Sequence, residues 1–180
     1  QAVDNTIRNY NAVAELSGVD AVVDSSKSHV KAVSLYLRAP QQTRILLLTR
    51  DGRGVMWSNI RRGDPRNAAV RAWSNRYERA LPLLVRHVPQ EHRLHVRYED
   101  LARDPSATLQ RICGFIGLPY EAGMLDFRQK VHHIVNGNRM RLSGDSTIRL
   151  DEEWRRKLPA TDLEYFEKAA GRLNRSFGYA

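Results

Sequence analysis

Arg50, Gly54 and Ser58 fall four residues apart in the segment Thr49-Arg50-Asp51-Gly52-Arg53-Gly54-Val55-Met56-Trp57-Ser58. A forked guanidinium, a residue without Cβ and a hydroxyl at this spacing can grip an anion. What they can do depends on the elements around them. Arg44 to Thr49 (RILLLT) reads as a strand that is apolar on both faces, the pattern of the centre of a parallel sheet. Val55 to Arg62 reads as the following helix, and Arg50 to Gly54 as the turn between them. Gly54 and Ser58 are i and i+4 and share a helix face. An anion near that helix N-terminus would meet free backbone N–H groups, the helix dipole, the Arg50 guanidinium and the Ser58 hydroxyl. Gly54 would let the backbone come close. The arrangement suits a phosphate. The plainer reading is a βα turn whose arginine pairs with Asp51.

The rest of the chain supplies the frame. Val3 to Leu16 has helical spacing and Gly18 follows as a C-cap. Ala21-Val22-Val23 is short, apolar and β-branched, and reads as a buried strand. It ends in the polar turn Asp24 to Ser28, and His29 to Leu37 reads as helix, closed by Pro40. After the break at Gly63-Asp64-Pro65, Asn67 to Val85 reads as a longer helix. Arg93 to Arg97, with Leu94 and Val96 alternating, is a third strand. Asp104-Pro105 is a helix start that runs to Gly117. Thr161-Asp162-Leu163-Glu164 reads as a capping box opening a last helix to about Arg175. Strands alternating with helices predict an α/β fold with a central parallel sheet flanked by helices. Ligands of such sheets sit beyond the carboxyl ends of the strands. Three polar groups fall there: Asp24 to Ser28, Arg50 to Ser58, and Tyr98 to Asp100.

Composition narrows the classes. The 180 residues, 42% hydrophobic and 27% charged, fit one globular domain. No apolar run is long enough for a membrane span. The single cysteine, Cys113, excludes an internal disulfide framework and fits a reducing, cytoplasmic compartment. No cluster with metal-ligand spacing is present, so no metal is expected. The net charge of +9 lies in one third of the chain: residues 38–97 hold 13 basic and four acidic side chains. Such a block would focus a positive potential and draw in anions; the bland reading is an arginine-rich solvated helix face.

The segments VVDSSKS, ILLLTRDGRGVMWS, VRYEDLARDP and HHIVNGNRMR, with IRLDEEW after it, together resemble roughly the C-terminal two-thirds of a PAPS-dependent sulfotransferase of the bacterial and carbohydrate-type branch. The resemblance runs from about Val22 to Tyr179 and implies a P-loop-NTPase-like fold, 3′-phosphoadenosine 5′-phosphosulfate (PAPS) as co-substrate, and an acceptor hydroxyl or amine on a carbohydrate or small metabolite. It implies that Arg50 and Ser58 hold the 3′-phosphate, that Tyr98 lies near the adenine, and that Lys27 lies near the transferred sulfuryl group. Asn138 and Arg141 match a late loop that closes on the nucleotide. His29, His132 and His133 are the visible candidates for a general base; His29 sits beside Lys27. The family's loop for the 5′-phosphosulfate does not occur in residues 1–20, and no GxxxxGK[ST] occurs anywhere. The resemblance therefore implies a native protein longer by one βα unit or more, and weak or no turnover from these residues alone.

Two other readings compete. A nucleic-acid-binding module could use the basic block with Trp57, Trp73 and Tyr77, but no RRM, KH or zinc-finger signature accompanies it. A P-loop nucleotide kinase would need the lysine-bearing loop that is missing. Asn174-Arg175-Ser176 is a formal glycosylation triplet of a kind that arises by chance.

Overall fold

The computed structural model describes residues 1–126 and 148–180. In chain order its elements are α1 (Ala2–Ser17), α2 (His29–Arg38), β1 (Ile45–Thr49), α3 (Gly52–Ile60), α4 (Arg66–His87), β2 (Arg93–Arg97), α5 (Tyr98–Arg103), α6 (Pro105–Ile116), α7 (Trp154–Lys157) and α8 (Ala160–Ser176). β1 and β2 pair in parallel, from Ile45 opposite Arg93 to Thr49 opposite Arg97, with α3 and α4 as the crossover. The expected α/β architecture with a parallel sheet is present, and the chain is mostly helical.

Local signals explain most boundaries. Gly18 takes a left-handed φ of 60° and closes α1 through its N–H to the Ala14 and Glu15 carbonyls. Ser28 caps α2 by accepting from the Lys31 N–H at 3.2 Å. Asp104 accepts from the Ala107 N–H at 2.9 Å, Pro105 opens α6, and Gly117 ends it. β2 has the bounds that the alternation of Leu94 and Val96 predicts.

The core lies between α3, α4, α8 and one face of the sheet. Met56, Val70, Trp73, Tyr77, Phe166 and Phe177 form its centre, and a second cluster of Val33, Tyr36, Ile45, Leu84 and Val88 continues it under α2. Trp73 contacts the rings of Tyr77, Phe166 and Phe177 at centroid distances of 5.4, 5.7 and 6.2 Å. Losing one such buried aromatic costs about 3–5 kcal/mol. Trp73 and Trp154 are buried and Trp57 half-buried, and Cys113 is buried, as the helical patterns imply.

Four expectations are corrected. Ala21-Val22-Val23 forms no strand; the segment has no regular secondary structure and is exposed. A strand needs a neighbour to take up its N–H and C=O groups, and no described strand flanks it. β1 is buried on one face only: Leu46 is 41% and Leu48 54% exposed, although Val96, the register partner of Leu48, is buried. α3 begins at Gly52, not Val55, because the Asp51 carboxylate caps it by accepting from the Arg53 N–H at 2.9 Å. α8 begins at Ala160 behind Pro159, whose fixed φ of −60° already suits a helix start. The expected capping box therefore lies inside the helix, and Asp162 pairs with Arg66 at 3.2 Å.

Candidate functional site

Arg50 leaves β1 at its carboxyl end, one residue beyond the last ladder pair, Thr49 with Arg97. Two α4 side chains hold carbonyls at this strand end: the Tyr77 hydroxyl donates to the Leu48 carbonyl at 3.1 Å and the Trp73 indole N–H to the Arg50 carbonyl at 3.1 Å. β2 turns directly into α5, and this brings Tyr98 under the guanidinium, 4.6 Å from ring centroid to Cζ. The Tyr98 hydroxyl donates to the Arg149 carbonyl at 3.1 Å and accepts from the Asp151 N–H at 3.2 Å. The segment beginning at Arg149 is thereby laid across the ring.

On that segment, Asp151 closes on Arg50: its carboxylate accepts from the guanidinium at 2.9 Å and its carbonyl at 3.2 Å. Burial alone would raise the Asp151 pKa; hydrogen bonds from the Glu153 N–H and from Arg50 outweigh it and hold the carboxyl below its ordinary value. Glu153 next binds the Trp57 indole at 3.2 Å and Arg61 at 2.6 Å. A surface depression of about 470 Å³, lined by Arg61, Leu150, Asp151, Glu152, Glu153 and Arg156, adjoins the pair. Arg50 thus already holds an oxyanion, so the residues present suit an anionic ligand. Its side chain is 26% exposed.

The turn itself is closed to such a ligand. Asp51 donates its N–H to Glu99 Oε1 at 3.0 Å, Gly52 to Asn174 Oδ1 at 2.9 Å and Arg53 to Asp51 Oδ1 at 2.9 Å. The free N–H groups expected at the start of α3 are therefore taken at residues 51 to 53. Gly54 serves packing, not ligand approach: a Cβ there would lie 3.1 Å from Trp154 Cδ1 and 3.4 Å from Arg50 Nε. At Gly52 it would lie 2.5 Å from the Phe166 ring. The alternative pairing also differs. Arg53, not Arg50, takes Asp51, through Nε at 2.9 Å and Nη2 at 2.7 Å, while stacking on Trp154 at 4.5 Å.

A further polar group lies behind the turn. Thr49 Oγ1 shares hydrogen bonds with His95 Nε2 at 2.8 Å and the Tyr179 hydroxyl at 2.9 Å. Burial pushes the His95 pKa down and that of Tyr179 up, the latter helped by the Glu99 carboxylate. Arg97 holds Asp100 bidentately at 2.9 and 2.8 Å.

The structure thus joins Arg50 and Tyr98, and places Ser58 half-buried one turn beyond Gly54 on the same helix. Lys27 and His29 lie at the start of α2 and take no part in the contacts joining Arg50, Tyr98 and Asp151. Lys27 is the one described non-glycine residue with positive φ, 61°. The loop before it is braced by Asp24, which binds Lys31 at 2.8 Å and the Tyr10 hydroxyl at 2.5 Å; these two bonds hold its carboxyl far below the usual range. Asn138, Arg141, His132 and His133 lie outside the described residues. Sequence reasoning gave no site role to Asp151, Glu99 or Asn174. Asn174 is 3% exposed and uses both ends of its amide, on Gly52 and on Asp51, so its triplet is a packing site and not a glycan acceptor.

Among the described residues no helix is long and apolar enough to cross a membrane, and no group of three or more His, Cys, Asp or Glu side chains could hold a metal. No curated protein matches the chain. Solved structures that share its fold include two sulfotransferase domains. One is the sulfotransferase domain from the curacin biosynthetic pathway, 18% identical with a TM-score of 0.62, covering 90% of this chain and 62% of that one. The other is the sulfotransferase domain from the Synechococcus PCC 7002 olefin synthase, 23% identical with a TM-score of 0.63, covering 90% and 58%. This chain therefore spans about three-fifths of each. Residues 2–122 match the sulfotransferase family, a stretch that takes in α1, the Arg50 turn and the Tyr98 junction, and the chain belongs to that family.

Proposed function

We propose that this chain is the greater part of a PAPS-dependent sulfotransferase domain, which moves a sulfuryl group to a hydroxyl or amine of a carbohydrate or small metabolite. The observation that carries the reading is Arg50: a guanidinium at the end of a parallel strand, stacked on Tyr98 and already holding a carboxylate, in a chain of this family. Arg50 and Ser58 would bind the 3′-phosphate as side chains, because the amides of residues 51 to 53 are occupied. Tyr98 would lie near the adenine, and Lys27 beside the transferred group, with His29 as a candidate base. Asn138 and Arg141 would close on the nucleotide.

PAPS supplies an activated sulfuryl group that leaves a nucleotide phosphate in an in-line displacement. By analogy with phosphoryl transfer, positioning and charge stabilisation carry most of such a reaction. The part of this chain is to bind and orient the nucleotide through fixed cations, which need no reorganisation as charge develops.

The test is thermal stabilisation by 3′-phosphoadenosine 5′-phosphate against AMP. Ligand at 100 times its dissociation constant should add about 2.7 kcal/mol. Arg50→Ala should lose about 1.5–3 kcal/mol of binding, and Ser58→Ala should lower the preference for the 3′-phosphate. Equal stabilisation by both nucleotides, or unchanged binding in both variants, refutes the assignment.

A further inference from the structure

We infer that Glu99 is a positioning residue for Arg50, acting through one peptide plane. The inference rests on the reading of Arg50 as the nucleotide's anion clamp. The peptide unit joining Arg50 to Asp51 is planar, so its direction is set once both its polar ends are held. Its carbonyl accepts from the Trp73 indole at 3.1 Å, and its N–H donates to Glu99 Oε1 at 3.0 Å. The two holders come from different elements, α4 and α5. The next amide, of Gly52, is held from a third, by Asn174 on α8 at 2.9 Å. The Arg50 Cα is one corner of the fixed plane, and on its other side Thr49 is held in the ladder opposite Arg97; with both sides fixed, the exit direction of the side chain is set by groups that never touch the guanidinium.

Glu99 is suited to this task and costly as mere packing. It is 8% exposed, and its second oxygen, Oε2, is buried without a hydrogen-bond partner among the described residues. A buried carboxylate oxygen left unpaired is expensive, and native structures keep few of them. Glu99 also follows Tyr98 directly. A single junction, where β2 becomes α5, therefore delivers both the ring under the guanidinium and the acceptor for the amide after it. One rigid-body shift of α5 would move both together, which couples the stacking platform to the strand-end turn.

The prediction separates reach from charge. Glu99→Gln keeps the acceptor at the same distance and removes the charge; Glu99→Asp keeps the charge and withdraws the acceptor by one methylene. Binding of 3′-phosphoadenosine 5′-phosphate is measured by calorimetry on the 180-residue chain, and exchange of the Asp51 amide by NMR. Glu99→Gln should bind within about threefold of wild type. Glu99→Asp should bind at least tenfold more weakly and exchange the Asp51 amide at least tenfold faster. In an Arg50→Ala background Glu99→Asp should cost no further affinity, since its effect runs through Arg50. Equal losses in Glu99→Gln and Glu99→Asp, an unchanged Asp51 amide, or losses that multiply with Arg50→Ala each overturn the inference. A wild-type chain that binds no nucleotide refutes the proposed function instead, and the Asp51 amide then decides the positioning claim alone.

Discussion

Arginine is used in opposite ways in two regions of this molecule. At the strand-end turn and the α3–α4 corner, Arg50, Arg53, Arg61, Arg66 and Arg97 each close on a carboxylate: Asp151, Asp51, Glu153, Asp162 and Asp100. Along the outer face of α4, Arg71, Arg76, Arg79 and Arg86 are exposed and make no ion pair among the described residues. Both sets belong to the same basic block of the sequence. Part of the excess charge of that block is therefore carried by the solvated face, while the five cations named around the candidate site are locally neutralised. Among the described residues, a positive potential focused on the site, as charge counting suggests, is not what the fold builds. What it builds there is geometry, with counter-ions drawn from Asp51, Asp100 and residues 151–162.

The comparison breaks most easily at Arg53. Its side chain and that of Asp51 are 16% and 6% exposed, so Arg53→Ala strands a buried carboxylate and should destabilise the chain by about 3–5 kcal/mol in urea unfolding. A loss under about 1 kcal/mol would put Arg53 with the solvated set. Asp151→Asn tests whether the carboxylate on Arg50 competes with a ligand. This pair is half exposed, so its removal should tighten binding of 3′-phosphoadenosine 5′-phosphate by about 0.2–1 kcal/mol, read by calorimetry. Weaker binding would make Asp151 a supporter of Arg50 and not a rival. The smallest effect belongs to the outer face. Arg79→Ala should change stability by no more than about 0.5 kcal/mol. Its nucleotide affinity should match wild type at physiological salt, where charges beyond about 8 Å are screened. A marked fall in affinity would mean that the outer arginines reach the ligand after all.

What could be read in advance followed from how local the cause is. α6 is legible because Asp104, Pro105 and Gly117 carry its start and stop within the segment itself. β2 is legible because Leu94 and Val96 alternate within five residues. Arg50 and Tyr98 are legible as strand-end polar residues because a parallel sheet puts its ligands there. Val22 and Val23 mislead because a strand's existence is settled by its neighbours. Gly54 misleads because the group filling its missing Cβ, Trp154, lies a hundred positions away in the chain. Asp151, Glu99 and Asn174 look like ordinary surface residues in a polar stretch. Only tertiary packing turns Glu99 and Asn174 into buried acceptors and sets Asp151 on the guanidinium.

The one-sided burial of β1 has a colloidal consequence. Among the described residues β2 alone pairs with it, and Leu46 and Leu48 stand bare beside the open edge. Open edges with apolar neighbours template the addition of further extended chain. Concentrated solutions of these 180 residues should grow turbid and scatter light more strongly with time, and a lysine at position 46 or 48 should keep them clear.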